Sequence, residues 1–144
     1  MSFRGHYQHK LDAKDRLTVP SQFRAALADG VVLAKGLEPS VWVFAPDGYG
    51  RFTQRFLGQT NPLGAKGRML RRHFHGNSYD ERLDSAGRIR LPRQLVEHAS
   101  LEGPCVIVGA DDWFEVWNAS RWSSYEREME AAITDAAENL AEGE

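Results

Sequence analysis

The chain has 144 residues, 42% of them apolar and 26% charged, which is room for one ordinary domain or for two half-size units that fold only as a pair. Its longest apolar runs, residues 31–34 and 104–110, fall far short of the roughly 20 residues that span a bilayer, and the composition fits neither whole-chain disorder nor a membrane protein. The net charge of −2 hides a partition: residues 1–100 carry 16 Lys and Arg against 9 Asp and Glu, and residues 101–144 carry 2 against 11. A body of +7 joined to an end of −9 hints at nucleic-acid contact by the basic part, although an acidic terminal helix alone would give the same sums.

Residues 1–10 mix charge and histidine without an apolar segment, so no secretory signal is expected there and the chain is expected to stay in the cytoplasm. Residues 11–23 then open a motif that returns in the second half of the chain. They align without a gap on residues 83–95: Leu, Asp, Arg, Pro and Gln are identical, and three further positions exchange one apolar residue for another. The similarity continues loosely from residues 41–44 to residues 114–117. Such self-similarity predicts two copies of one supersecondary unit.

In each copy an Asp-x-x-x-Arg segment separates two short alternating runs, the pattern of a hairpin with its turn at the loop. Leu17 and Val19 are expected to face inward, as are Ile89 and Leu91. Arg88 and Arg90 then share the solvent face. Pro20 and Pro92 end their strands, and short helices are predicted over residues 21–28 and 93–99. Two further strands per copy, 31–34 with 41–44 and 105–108 with 114–117, complete a β-β-α-β-β order. The setting of Cys105, the only cysteine, reads as a buried strand.

Between the copies, residues 58–67 form a Gly- and Pro-containing loop, and the basic residues 68–74 a short helix. After Asn118, a predicted N-cap, the spacing of Trp122, Tyr125, Met129, Ile133, Ala136 and Leu140 marks an amphipathic helix whose other face is acidic. The predicted segments are residues 1–57 (first repeat), 58–75 (linker and basic helix), 76–122 (second repeat) and 123–144 (acidic helix and tail).

Enzyme signatures are missing. His73 and His75 lack a third ligand at a spacing that completes a metal set, and Asp111-Asp112 reads as a turn. Nucleophile elbows and phosphate loops do not occur. No catalytic residue, cofactor, metal or small-molecule substrate is expected. The repeated loops are the stronger candidate. Asp12 and Asp84 read as loop-structuring groups that accept backbone amides. Surface ion pairing adds only about 0 to 1 kcal/mol, a weak reason to place an arginine in both loops, whereas a guanidinium fork suits phosphate and guanine. Lys14, Arg16, Arg88 and Arg90 are therefore the candidate DNA contacts, with Arg93 a further cation. A second reading is an oligomeric protein-interaction module that uses exposed Trp113, Trp117 and Trp122 or the acidic tail.

Phe3-Arg4-Gly5, Leu11-Asp12-Ala13-Lys14-x-Arg16-Leu17-Thr18-Val19-Pro20 and Leu83-Asp84-Ser85-Ala86-Gly87-Arg88-Ile89 closely resemble the bacterial MraZ family, from about residue 3 to residue 122. The resemblance implies a β-rich mixed α+β fold. Two pseudo-symmetric AbrB-like (SpoVT-AbrB) ββαββ repeats would pack into one double-split β-barrel-like unit, with a C-terminal helix added. It also implies ring-like homo-oligomers of a nucleoid-associated transcriptional regulator, which binds short direct DNA repeats upstream of the division and cell-wall gene cluster. The family's loop cations carry over to Arg16 and Arg88, with Lys14 alongside. Where the family has Gly in the first loop this chain has Asp15, while the second keeps Gly87. A left-handed backbone at Asp15 costs on the order of 1 kcal/mol, and its charge is expected to weaken phosphate binding by the first loop.

Overall fold

Buried strands alternate their side chains between two apolar layers, and that periodicity organises the chain. The computed structural model describes residues 2–143. Strands β1 (His6–Lys10), β2 (Arg16–Thr18), β3 (Val31–Lys35) and β4 (Ser40–Phe44) belong to the first copy. Their counterparts in the second are β5 (Tyr79–Glu81), β6 (Arg88–Arg90), β7 (Pro104–Gly109) and β8 (Phe114–Asn118). Six of them form one antiparallel sheet in the order β1-β7-β8-β4-β3-β5, and β2 pairs with β6 in a separate two-stranded ribbon.

This arrangement corrects the predicted hairpins. The loop turns are present, but β1 pairs with β7 and β2 with β6, so each copy completes its sheet with strands of the other. Likewise β5 pairs with β3. The reason is burial: a copy of this size cannot cover its own apolar faces, and interleaving covers both. A pseudo-twofold axis follows from the register. Leu17 is paired with Ile89, its own counterpart in the second copy, and Trp42 is likewise paired with its counterpart Glu115. The sheet stays open with β1 and β5 at its edges, so there is no closed barrel.

The inner layer lies between the sheet and the ribbon. Leu17, Val19, Ile89 and Leu91 are buried there against Leu33, Val43, Ile107 and Phe114. Helix α1 (Ser21–Arg24), extended by a 3₁₀ turn, and α4 (Arg93–Ala99) close the layer through Phe23 and Leu95. Burying each such side chain is worth about 1.5–3 kcal/mol. Cys105 is buried in β7, as its setting predicts.

The outer face of the sheet carries two clusters. Val32, Ala34, Trp42 and Phe44 pack under α2 (Pro46–Phe52), a π-helical turn (Thr53–Leu57) and α3 (Ala65–Phe74). Helix α2 is unforeseen in the strand-centred reading, although Pro46 at its first position and Asp47 in its first turn are ordinary helix-start signals. Val106, Val108 and Trp117 pack under α5 (Ala119–Ala141) through Trp122, Tyr125 and Met129. The Asn118 side chain caps α5 by accepting from the amides of Ser120 and Arg121. Only the first half of the predicted stripe is used: beyond Met129 every described residue of the chain is exposed.

Candidate nucleic-acid interface

Each Asp-x-x-x-Arg loop is a cage built around its aspartate. The Asp12 amide donates to the Arg16 carbonyl at 3.0 Å, and the Asp15 amide to the Asp12 carbonyl at 3.0 Å. Asp12 Oδ1 accepts from the amides of Lys14 at 2.9 Å and Arg16 at 3.0 Å, while Oδ2 accepts from Arg16 Nε at 2.7 Å. The second loop repeats the pattern. Asp84 Oδ1 accepts from the amides of Ala86 and Arg88, each at 2.9 Å, and Oδ2 from Arg88 Nε at 2.8 Å. The amide of Arg16, before any other group, holds the Asp12 carboxyl down to about 2, and the amide of Arg88 lowers Asp84 in the same way. Both carboxylates therefore stay ionised and keep accepting at any physiological pH. The arginines are tethered through Nε alone, which leaves both terminal amino groups without a partner among the described residues.

The loops are also locked to each other across the pseudo-twofold. The Leu91 amide donates to the Asp15 carbonyl and the Val19 amide to the Gly87 carbonyl, both at 2.9 Å. Between these bonds lies the ribbon. Its inner side is Leu17 and Ile89, and its outer side carries Arg16 directly across from Arg90, and Thr18 across from Arg88. Three guanidinium groups thus share one small two-stranded surface. Arg90 and Lys14 are exposed, and their side chains bond to no other described residue.

Arg93, the further cation expected in the second loop, faces other duties. It lies 2.9 Å from Glu102, 3.4 Å from Glu97 and 3.6 Å from Asp15. Asp15 has the left-handed backbone predicted for it, with φ of 58°, and its carboxylate meets Arg93 of the other copy. At the matching position Gly87 has φ of 75°, and the Arg24 guanidinium covers it so closely that a Cβ would lie 2.5 Å from Arg24 Nε. Arg24 is itself held by donating from Nε to the Val19 carbonyl. No sequence signal marks Arg24, because its contact with Gly87 forms only through the pairing of the two copies.

Of the three tryptophans expected to be exposed, two are buried and Trp113 is half-buried, lining a groove. Trp117 and Trp122 are buried and pack edge to face with a centroid distance of 5.3 Å, and Trp113 stacks on Trp42 at 4.6 Å. Glu115 fixes two of these indoles, accepting from Trp113 Nε1 at 3.0 Å and Trp117 Nε1 at 2.8 Å. His73 and His75 lie at the end of α3, each bonded elsewhere, His73 Nε2 to the Lys35 carbonyl and His75 Nδ1 to the Tyr49 hydroxyl. Among the described residues no helix is long and apolar enough to cross a membrane.

Similarity to known proteins extends over nearly the whole chain. The sequence model of a family described as "MraZ protein, putative antitoxin-like" matches residues 2–72 and 74–142, once per copy. A protein of Leuconostoc mesenteroides named transcriptional regulator MraZ is 39% identical over 142 residues, which is 98% of this chain and 95% of that protein. Its namesake in Kocuria rhizophila is 36% identical over 142 residues, covering 98% of both chains. One of the same name in Ligilactobacillus salivarius is 34% identical over 139 residues, 96% of both.

Proposed function

The chain belongs to the MraZ family, and from that premise we propose that it is a sequence-specific DNA-binding transcriptional regulator, working in the cytoplasm at the nucleoid. The observation that carries the reading is the ribbon: Arg16 and Arg90 face each other as a cross-strand pair, with Arg88 beside them. Like charges directly opposite cost stability, so the fold gains nothing from them. A polyanion does. A two-stranded ribbon fits the major groove of B-DNA, and the free ends of Arg16 and Arg88 suit phosphate oxygens or the guanine edge. Lys14 extends the cationic surface. Asp12, Asp84 and Gly87 shape the loops without touching DNA, and Asp15 tempers the first of them.

In this reading residues 1–57 and 76–122 supply one loop each, residues 58–75 join them, and residues 123–144 serve assembly. One protomer alone binds weakly, since a few phosphate contacts give roughly 10⁻⁴ to 10⁻⁶ M. Ring-like homo-oligomers that present several ribbons to short direct promoter repeats make later contacts intramolecular, raising avidity by about 10² to 10⁴. The target is the promoter of the division and cell-wall gene cluster. Fluorescence anisotropy tests this with duplexes carrying three or four short direct repeats from that promoter, against a scrambled duplex, at two salt concentrations. Tighter, salt-sensitive binding to the repeats is expected; equal binding to both duplexes would remove the sequence-specific part of the proposal.

A further inference from the structure

Seven large apolar side chains are exposed among the described residues, and they fall in two places. Leu37, Phe56, Leu63, Met69 and Leu70 surround the helical insert after β4, whereas Ile133 and Leu140 lie on the free half of α5. The first place contains a groove of about 990 Å³, floored by Trp42, Phe52 and Trp113 and rimmed by Leu37, Phe56 and Leu70. The second is a stripe: Ile133, Ala136, Ala137 and Leu140 recur at helical spacing with nothing packed on them.

Charge separates the two places as sharply as it divides the chain. Residues 46–77, which include α2 and α3, contain six Lys and Arg against Asp47 alone; residues 130–143 contain four carboxylates and no Lys or Arg. Arg51 and Arg55 line the groove, with Asp112 as its one carboxylate. Helix α5 runs unbroken from Ala119 to Ala141, held to its own body only as far as Met129. Its last twelve residues form a rod of about 18 Å, and an unbroken rod cannot turn back onto the groove of its own chain.

We propose that the free end of α5 docks in the Trp42–Trp113 groove of a second copy, its apolar stripe on the aromatic floor and its carboxylates beside Arg51 and Arg55. The proposal names the contact for the self-assembly read above and rests on that reading. Because tail and groove are different surfaces, the contact is head to tail, and such a contact propagates until rotation closes a ring. A tail-to-tail pairing of α5 would instead stop at two chains and leave the groove empty.

Light-scattering mass measurement on the full chain tests it with two variants, a groove chain carrying Phe56→Asp with Leu70→Asp and a tail chain carrying Ile133→Asp with Leu140→Asp. Each alone is expected to be monomeric. Mixed in equal amounts, they are expected to form a species of two chains and no larger, because each supplies the one surface the other lacks. Parental mass in either variant, a monomeric parent, or a mixture that stays monomeric would overturn the proposal. Should a double variant fail to unfold cooperatively on heating, Arg55→Glu and Glu138→Arg take their places, with the same mass outcomes decisive. Anisotropy on the repeat duplex keeps the two readings apart. DNA binding with unchanged mass in the variants sinks the groove alone, and correct assembly without DNA binding sinks the regulator reading alone.

Discussion

Arg16 lies directly across from Arg90 on adjacent strands, and only Arg16 has a carboxylate beside it. Arg90 contributes repulsion to the ribbon and bonds to no described side chain. Substituting Arg90→Ala is therefore expected to leave the thermal midpoint unchanged or slightly raised, while DNA affinity falls about tenfold, the size of one charge-assisted contact. Calorimetry paired with anisotropy measures both. A fall in stability without loss of binding would make Arg90 a structural residue.

Asp15 spends its charge on Arg93 across the pseudo-twofold, at 3.6 Å. Replacing Asp15→Gly removes a strained left-handed side chain and a carboxylate close to the ribbon, and Arg93 keeps Glu97 and Glu102. Duplex binding is expected to tighten about two- to fivefold. Unchanged or weaker affinity would show that the Asp15–Arg93 contact positions the first loop for DNA.

Gly87 has no such freedom. Alanine there meets both the positive φ and the Arg24 guanidinium, whereas Gly103, with φ of 88°, faces open space. Both Gly→Ala changes incur the left-handed penalty of about 1–2 kcal/mol, and Gly87→Ala is expected to cost more by displacing Arg24 from the Val19 carbonyl. Chemical denaturation of the two variants gives the comparison; equal losses would show that Arg24 moves aside freely.

The loop carboxylates define a pH window. Asp12, lowered in the folded chain to about 2 from an ordinary 3.8, contributes stability that is complete above 3.8 and is lost as pH falls toward 2. Its ionisation therefore adds nothing to any change in DNA binding between pH 5 and 8. Carboxyl-detected NMR titration should find the Asp12 midpoint near 2, and Arg16→Ala should raise it only part of the way, because the Arg16 amide comes first among its causes and survives the substitution. A full return to the ordinary value would assign the shift to the guanidinium instead.

Much of this was legible from the repeat. Eight matched positions in thirteen located both loops, and the alternation of Leu17 and Val19 with Ile89 and Leu91 fixed which side of each strand is buried. Strand partners were not legible, since a short alternating run reads the same whether it pairs with its neighbour or with its distant counterpart in the other copy. Interleaving is decided by what the whole chain can bury. The like-charge pair of Arg16 and Arg90 exists only through that cross-copy register, so its importance could not be read from either loop alone. Helix α2 was obscured because Gly48 and Gly50 dilute its helical pattern, and packing of Phe52 under the sheet compensates. The spacing that marked α5 continues past Met129 although the protomer offers nothing to cover it.

The salt dependence of duplex binding tests the arginine ribbon most directly. Binding of the repeat duplex is followed over a range of potassium chloride concentrations for the parent chain and for Arg16→Ala with Arg88→Ala, with assembly confirmed by mass. The log–log slope is expected to shrink by about 0.9 for each phosphate contact removed, multiplied by the number of protomers engaged. A slope identical to the parent's would show that Arg16 and Arg88 touch no phosphate, and a slope and an affinity both identical to the parent's would show that the ribbon is not the DNA-binding surface.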